Sequence, residues 1–189
     1  GMGRCGTLFA SEQDDVSPDM VCIAKGLGAG IQPIGAMLCS AEIYSAIEQG
    51  SGFFQHGHTY LGHPAACAAG VAVLQEVERH DLLNNVNAMG GNLTAALEAR
   101  FGQHPHVGDI RGRGLFLGVE LVRDRETLEP AKEEAEFIVN RMRDAGILLG
   151  TDGPFGNVIK IRPPMPFDES NAEHLVAKMD RILVEDFLA

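Results

Sequence analysis

The charged residues of this 189-residue chain are spread unevenly, and that unevenness limits what each stretch can become. Residues 1–70 carry two basic and six acidic side chains against 13 and 20 in residues 71–189, and they hold 12 of the 23 glycines. A charge-poor, glycine-rich third is expected to be backbone that turns tightly or closely approaches a ligand or another backbone. The remaining two thirds read as regular structure with a charged surface. The net charge of −11 argues against an obvious nucleic-acid binder, whose affinity comes from Lys and Arg neutralising phosphates. With 45% apolar and 22% charged residues, disorder and collagen-like repetition are excluded, and the length allows one large domain or two small ones. The longest apolar stretch, 65–74, is about half the roughly 20 residues of a membrane-spanning helix, so no membrane span is expected. The first 15 residues lack the apolar stretch and basic flank of a secretory signal. Cys5, Cys22, Cys39 and Cys67 form no CxxC pair and read as small buried hydrophobes in a reducing cytoplasm.

Periodicity supplies the elements. Met20 to Ala24 is a short Val/Ile-containing run that reads as a buried strand, and Ile34 to Cys39 looks like its neighbour. Ser40 is placed to cap a helix running through Gln49, with Gly50 just beyond it. Residues 51–63 form a loop with three His and two Phe, and Pro64 opens a helix of small and aliphatic residues expected to pack closely on most sides. From Asp81, Leu82, Val86, Met89, Leu93 and Leu97 recur at helical spacing up to Arg100. Gly102 to His106 reads as a linker. Strands are expected at Val107 to Arg113 and Leu115 to Val122, the second placing Leu115, Leu117, Val119 and Leu121 on one face. Pro130 is expected to open a helix closing at Gly146, followed by strands at Ile147 to Leu149 and Val158 to Arg162. A last helix from about Asp168 carries Leu175, Met179, Ile182 and Leu183 inward. Residues beyond the linker form a small α+β domain on this reading.

Lys25 is the only lysine before Lys132 and ends the first strand inside a nearly charge-free segment. Two readings stand. A strand-end lysine can lay its stem on apolar surface and keep its head in water. Alternatively, a desolvated lysine has its pKa drawn down from about 10.4, giving the free amine that attacks carbonyls and carries protons. The GLGAG that follows is not a dinucleotide fingerprint, since Gly26, Gly28 and Gly30 give GxGxG. The spacing of Gly30 and Gly35 lacks the Lys and Ser/Thr of a P-loop. His56, His58 and His63 have no carboxylate in their loop and no HExxH, so the loop reads as a pocket wall and no metal is expected. Thr59 offers a hydroxyl and an N–H suited to phosphate. Arg111 and Arg113 in RGRGL and Arg162 in KIRPP sit at strand ends, either as exposed cations or as bidentate partners of a substrate carboxylate.

Taken together, GMGRCGTLFA, SPDMVCIAKGLGAGIQPIGAML, HGHTYLGHPAACAAGVAVLQ and IRGRGLFLGVEL resemble, in this order, the class III aminotransferases, pyridoxal-phosphate enzymes acting on ω-amino groups. The resemblance spans essentially the whole chain and implies an α/β protein of PLP-dependent fold type I. It implies residues 1–80 as the C-terminal portion of the large domain with its mostly parallel sheet, 81–105 as connecting helix and linker, and 106–189 as the small α+β domain. Lys25 falls on the family's Schiff-base lysine, which also moves the proton between substrate and cofactor. Thr59 falls on the threonine that reaches across a homodimer to the cofactor phosphate. Arg111 falls on an arginine that binds the substrate carboxylate in several members, and Arg162 is a weaker match to the same task. The acidic segment that precedes GMGR in the family, with its pyridinium-pairing Asp, is absent, so the resemblance implies the C-terminal part of a subunit. The implied reaction moves an amino group from an amine or ω-amino acid to a 2-oxo acid. The alternatives are a PLP lyase or mutase of the same family, or a folded, self-associating remnant that does not hold the cofactor.

Overall fold

The computed structural model describes residues 2–184, which divide into two units. The first comprises Gly1–Gly3 with Thr7–Leu82, and the second Arg4–Gly6 with Leu83–Ala189. All strand pairs among the described residues are antiparallel, so the mostly parallel sheet implied for the large domain is not seen in this chain. No helix among them is long and apolar enough to cross a membrane.

In the first unit, Met20–Ile23 (β1) and Ala36–Cys39 (β2) pair with Met20 opposite Cys39 and Ile23 opposite Ala36. Between them Lys25–Gly28 makes one 3-10 turn. Helix α1, Ala41–Gln49, starts where expected because Ser40 Oγ accepts the Ile43 N–H at 3.4 Å. Helix α2, Pro64–Arg79, begins on Pro64, whose missing N–H would have been unpaired there anyway. Its one buried residue is Gly70, where a Cβ would stand 3.3 Å from Ile34 Cδ1 and 3.8 Å from Leu27 Cδ1, so this glycine lets the helix press on the turn. The rest of α2 is exposed or half-buried, which corrects the expectation of close packing on most sides. Leu27 is the one buried hydrophobic side chain among the described residues of this unit. Consequently β1 is half-exposed, not buried, and Cys22, Cys39 and Cys67 lie on the surface, with Cys5 of the second unit only partly covered. Two four-residue strands and two helices offer more apolar surface than they can hide against one another.

The second unit has a core of its own. Helix α3, Leu82–Phe101, sends Val86, Leu93, Leu97 and Phe101 inward, so the segment expected as a connector supplies a core helix. Strand β3, Val107–Arg113, pairs with β4, Phe116–Asp124, and β4 with β7, Val158–Ile161. Strand β6, Gly150–Asp152, adds the far edge, and β5, Glu129–Pro130, pairs with the end of β4. Ile110, Val119 and Ile159 line up across three strands, as do Gly112, Leu117 and Ile161. This inner face meets Ala135, Ile138 and Met142 of α4 (Lys132–Asp144) and Leu175, Met179 and Ile182 of α5 (Glu169–Leu183), joined by Leu93, Leu97 and Phe101. Alternation in β4 fell out as read: Leu115, Leu117, Val119 and Leu121 are all buried.

Two boundaries differ from expectation. Pro130 does not open α4. It pairs with Val122 as an edge residue, where no ladder N–H is required, and the helix starts at Lys132. Ile147 to Leu149 is not a strand, because the Ile147 N–H closes the end of α4 on the Met142 carbonyl at 2.9 Å and pairing begins only at Gly150.

The glycines of RGRGL have a packing reason. Gly114 has φ +54°, and a Cβ there would fall 2.7 Å from the Arg4 carbonyl oxygen and 2.7 Å from Val86 Cγ1. A Cβ on Gly90 of α3 would come 2.4 Å from the Gly114 carbonyl oxygen. Three backbones therefore cross at Gly114: Arg4–Cys5, the β3–β4 turn and α3. The Leu115 N–H donates to Arg4 O at 3.0 Å, and Asn87 Nδ2 to Gly6 O at 2.9 Å, fastening Arg4–Gly6 into this unit.

Candidate active site

Lys25 stands at the junction of β1 and the 3-10 turn with φ +51°, a left-handed conformation that non-glycine residues seldom adopt. The turn is held from both ends. The Leu27 N–H returns to Ala24 O at 3.2 Å, and the buried Leu27 side chain, like Ile34, lies against Gly70 of α2. The Lys25 side chain itself is exposed, and its amine has no hydrogen-bond or ion-pair partner among the described residues. Of the two readings of this lysine, the first unit by itself provides the one with the head in water and not the desolvated one.

Thr59 lies in the same unit, in the exposed 51–63 loop. Its hydroxyl also has no partner among the described residues. The loop is shaped by short turns, with Leu61 N–H on His58 O at 2.9 Å and His63 N–H on Tyr60 O at 3.1 Å. His56 and His58 touch through their Nε2 atoms at 3.2 Å, and His63 faces Tyr60. No group of three metal-ligating His, Cys, Asp or Glu forms among the described residues.

The two arginines of the second unit are in opposite states. Arg111 sits on the outer face of the sheet, and its Nη1 donates to Asp109 Oδ2 at 2.7 Å and Glu120 Oε2 at 2.6 Å. Asp109 and Glu120 are directly opposed across β3 and β4, so the guanidinium relieves a like-charge pair. Its pKa is raised, first by the Asp109 and then by the Glu120 hydrogen bond. Arg162, one residue past β7, is exposed and makes no hydrogen bond or ion pair among the described residues. The sequence ranked Arg111 ahead of Arg162 for a substrate carboxylate. The geometry favours the reverse, since a carboxylate at Arg111 must compete with two already in place.

Sequence reasoning missed Arg4. Its half-buried guanidinium donates through Nη1 to the Pro163 carbonyl and to Leu115 O at 3.4 Å. Burial lowers its pKa, and the charge of Arg162 lowers it further. A signal was present: Arg4 and Lys25 are the only basic residues in the first 70.

The family model for class III aminotransferases matches residues 1–183. The chain belongs to that family. This class III chain is 39% identical over 180 residues to alanine–glyoxylate aminotransferase 2 homolog 2, mitochondrial, of Arabidopsis thaliana, covering 95% of the chain and 37% of the relative. It is equally 39% identical, over 187 residues, to ethanolamine-phosphate phospho-lyase homolog 1 of Caenorhabditis elegans, covering 97% and 39%. A PLP-bound amine transaminase from an uncultivated Pseudomonas species superposes with a TM-score of 0.88 at 37% identity, over 96% of this chain and 42% of that one. The fold is thus the α/β fold type I of PLP-dependent transferases, and the chain spans about two fifths of the length of the relatives it matches. The family joins aminotransferases with phospho-lyases.

Proposed function

We propose that this chain is the C-terminal part of a PLP-dependent aminotransferase subunit that moves an amino group from an amine or ω-amino acid to a 2-oxo acid. The observation that carries the reading is Lys25: an unpaired primary amine, fixed at a strand end in a left-handed backbone conformation by a buried Leu27 anchor. Thr59 supplies an unpartnered hydroxyl in the same unit. An amine and a hydroxyl donor are the chemistry that a phosphate-bearing aldehyde requires, so the donor set fits pyridoxal phosphate. When bound, that cofactor supplies an aldehyde that condenses with amines and a ring that stabilises negative charge on the adjoining carbon.

The chain's own residues have distinct tasks on this reading. Lys25 Nζ would hold the cofactor through its aldehyde and, when the substrate amine displaces it, would be free to take a proton from the substrate carbon and hand it to the former aldehyde carbon. Thr59 Oγ1 donates to the phosphate. Arg162 binds the carboxylate of the amino acid or 2-oxo acid in bidentate fashion, with Arg111 as the second candidate. Residues 1–80 are on this reading a portion of the large domain, 81–105 a connector and 106–189 the small domain, with α3 joining the last of these through its packing. The exposed apolar side chains of the first unit, with Ile31 86%, Tyr60 79% and Leu61 75% accessible, call for a covering partner, which we take to be a second copy in a homodimer or other self-association. A reducing compartment such as the cytoplasm suits its cysteines, none of which is in a disulfide among the described residues.

The test is to add pyridoxal phosphate to the purified chain, reduce with borohydride and map the pyridoxyl group by peptide mass. The expected label is on Lys25, lost in Lys25→Ala. A second reading, a folded remnant that does not hold the cofactor, is favoured by the exposure of Lys25 and the near absence of a core in its unit. No label on Lys25 above that on other lysines selects it. A phospho-lyase activity, as in the Caenorhabditis elegans relative's name, is separated by assaying phosphate release from an amino-alcohol phosphate.

A further inference from the structure

Strand β7 stops at Ile161 for a covalent reason. Pro163 and Pro164 have no N–H to give to a ladder, and each proline forces the residue before it into an extended conformation. Residues 162–167 therefore leave the sheet as an arm without strand hydrogen bonds, and the arm carries Arg162. Two side chains from elsewhere in the second unit grip its carbonyls. Arg4 Nη1 takes the Pro163 carbonyl at one end, while Asn85 of α3 donates through Nδ2 to Met165 O at 2.7 Å and Phe167 O at 3.0 Å at the other. Arg4 is itself fixed, because its own carbonyl accepts the Leu115 N–H and its guanidinium also reaches Leu115 O. The tight passage at Gly114 keeps that backbone in place.

We infer that Arg4 and Asn85 are positioning residues for Arg162: they hold the proline arm, by its carbonyls, where Arg162, which makes no direct hydrogen bond among the described residues, presents its guanidinium to a carboxylate ligand. The inference rests on the carboxylate-binding reading of Arg162 given above. Neither residue touches the ligand. Their arginine and amide donors satisfy arm carbonyls that no neighbouring strand reaches once the prolines have ended the ladder, and without them Arg162 samples many positions, weakening binding through the cost of reordering the arm. Arg4 adds a second positive charge near Arg162, whose charge also acts on the Asp152 carboxylate.

The experiment uses the 189-residue chain and succinate as the probe, followed by NMR of the arginine Nε–H signals and of the backbone amides of Arg162 and Met165. In the wild-type chain succinate is expected to shift the Arg162 Nε–H signal, and Arg162→Gln to remove that signal. Arg4→Gln and Asn85→Ala should each weaken succinate binding about tenfold and broaden the two amides, with Arg4→Lys recovering most of the affinity because it keeps charge and one donor. Arg100→Gln, which removes an exposed ion pair to Asp180, serves as the control for a general loss of stability and should change neither. Unchanged amides and affinity in Arg4→Gln and Asn85→Ala overturn the inference. Should Arg4→Gln fail to fold, Asn85→Ala decides. Amides that broaden in the variants of a chain that binds no succinate would sustain the gripping of the arm and remove the carboxylate reading of Arg162.

Discussion

Gly90 and Gly91 are neighbours in the middle of α3, and the structure assigns them opposite responses to the same substitution. A methyl group on Gly91 meets nothing within 4 Å, so Gly91→Ala gains helix propensity alone, about 0.5–1 kcal/mol. A methyl on Gly90 would lie 2.4, 2.5 and 2.6 Å from O, C and Cα of Gly114. An ordinary contact begins near 3.4 Å, so one backbone must retreat by about 1 Å, and these are not flexible side-chain ends. Gly114 has little room to yield, being at φ +54° and tied through the Leu115 N–H to Arg4. Overpacking of this kind costs about 1–3 kcal/mol, and with rigid backbone on both sides the upper end applies, outweighing the gain of about 1 kcal/mol from replacing glycine in a helix. The propensity gain is common to both variants and cancels, so they should differ by the packing cost, roughly 2–3 kcal/mol, or about 4–12 °C in Tm at 2–4 °C per kcal/mol. Hydrogen exchange of β4 amides is the assay of choice, because it reports the second unit alone and does not assume that the whole chain unfolds in one step. If Gly90→Ala protects β4 as well as Gly91→Ala does, the three-backbone crossing is not a constraint and the packing reason for the RGRGL glycine fails.

Leu97→Ala, at a fully buried position among α3, α4 and the sheet, should cost about 2–5 kcal/mol by urea denaturation of the second unit. Asn157 is buried with Nδ2 on Leu121 O at 2.8 Å, so Asn157→Ala should cost about 1–2 kcal/mol. Asn157→Asp should cost more at neutral pH, with a carboxylate set against Leu121 O and near Glu120, and the gap should narrow as acid protonates it. Asp180 receives two 2.6 Å hydrogen bonds from Arg100, which hold its pKa below the ordinary aspartate value. A carboxylate depressed on folding stabilises above its unfolded pKa of about 3.9 and loses that contribution as pH falls through the folded value, so Asp180→Asn should flatten the acid side of a stability–pH curve.

What the sequence disclosed follows the range of the interactions. Strand β3 was legible residue by residue, and α3 and α5 nearly so, because alternation and helical spacing are local and their buried faces close on one core. The Lys25 turn was legible too, as a lone lysine between a strand and a glycine run. Pro130 and Ile147 were misread because each is claimed by a distant or adjacent partner, Val122 across a strand pair and Met142 at a helix end, that composition does not reveal. The order of the two arginines turned on pairing register. Asp109 shares a face with Arg111 by simple alternation, but Glu120 joins them only once β3 and β4 are aligned. Arg4 lies 159 residues from the carbonyl it holds, a contact no spacing rule could supply.

The two units also differ in what sustains them, and that difference bears on the chemistry. Of the buried hydrophobic side chains among the described residues, Leu27 alone belongs to the first unit and the rest to the second. A segment with one buried anchor cannot offset the conformational entropy of ordering some 80 residues, at about 1–2 kcal/mol of backbone entropy each, without further cover. The amine and hydroxyl proposed for the cofactor, Lys25 and Thr59, thus stand on the part with little apolar burial of its own, while Arg111 and Arg162 stand on a part that carries its own core. Amides of β1 and β2 should then exchange far faster than those of β4 in the chain alone, and raising the protein concentration should slow the first set without changing the second. Equal protection in both units at low concentration would mean that the first unit is held by something other than apolar burial, and the need for a covering copy would fall with it.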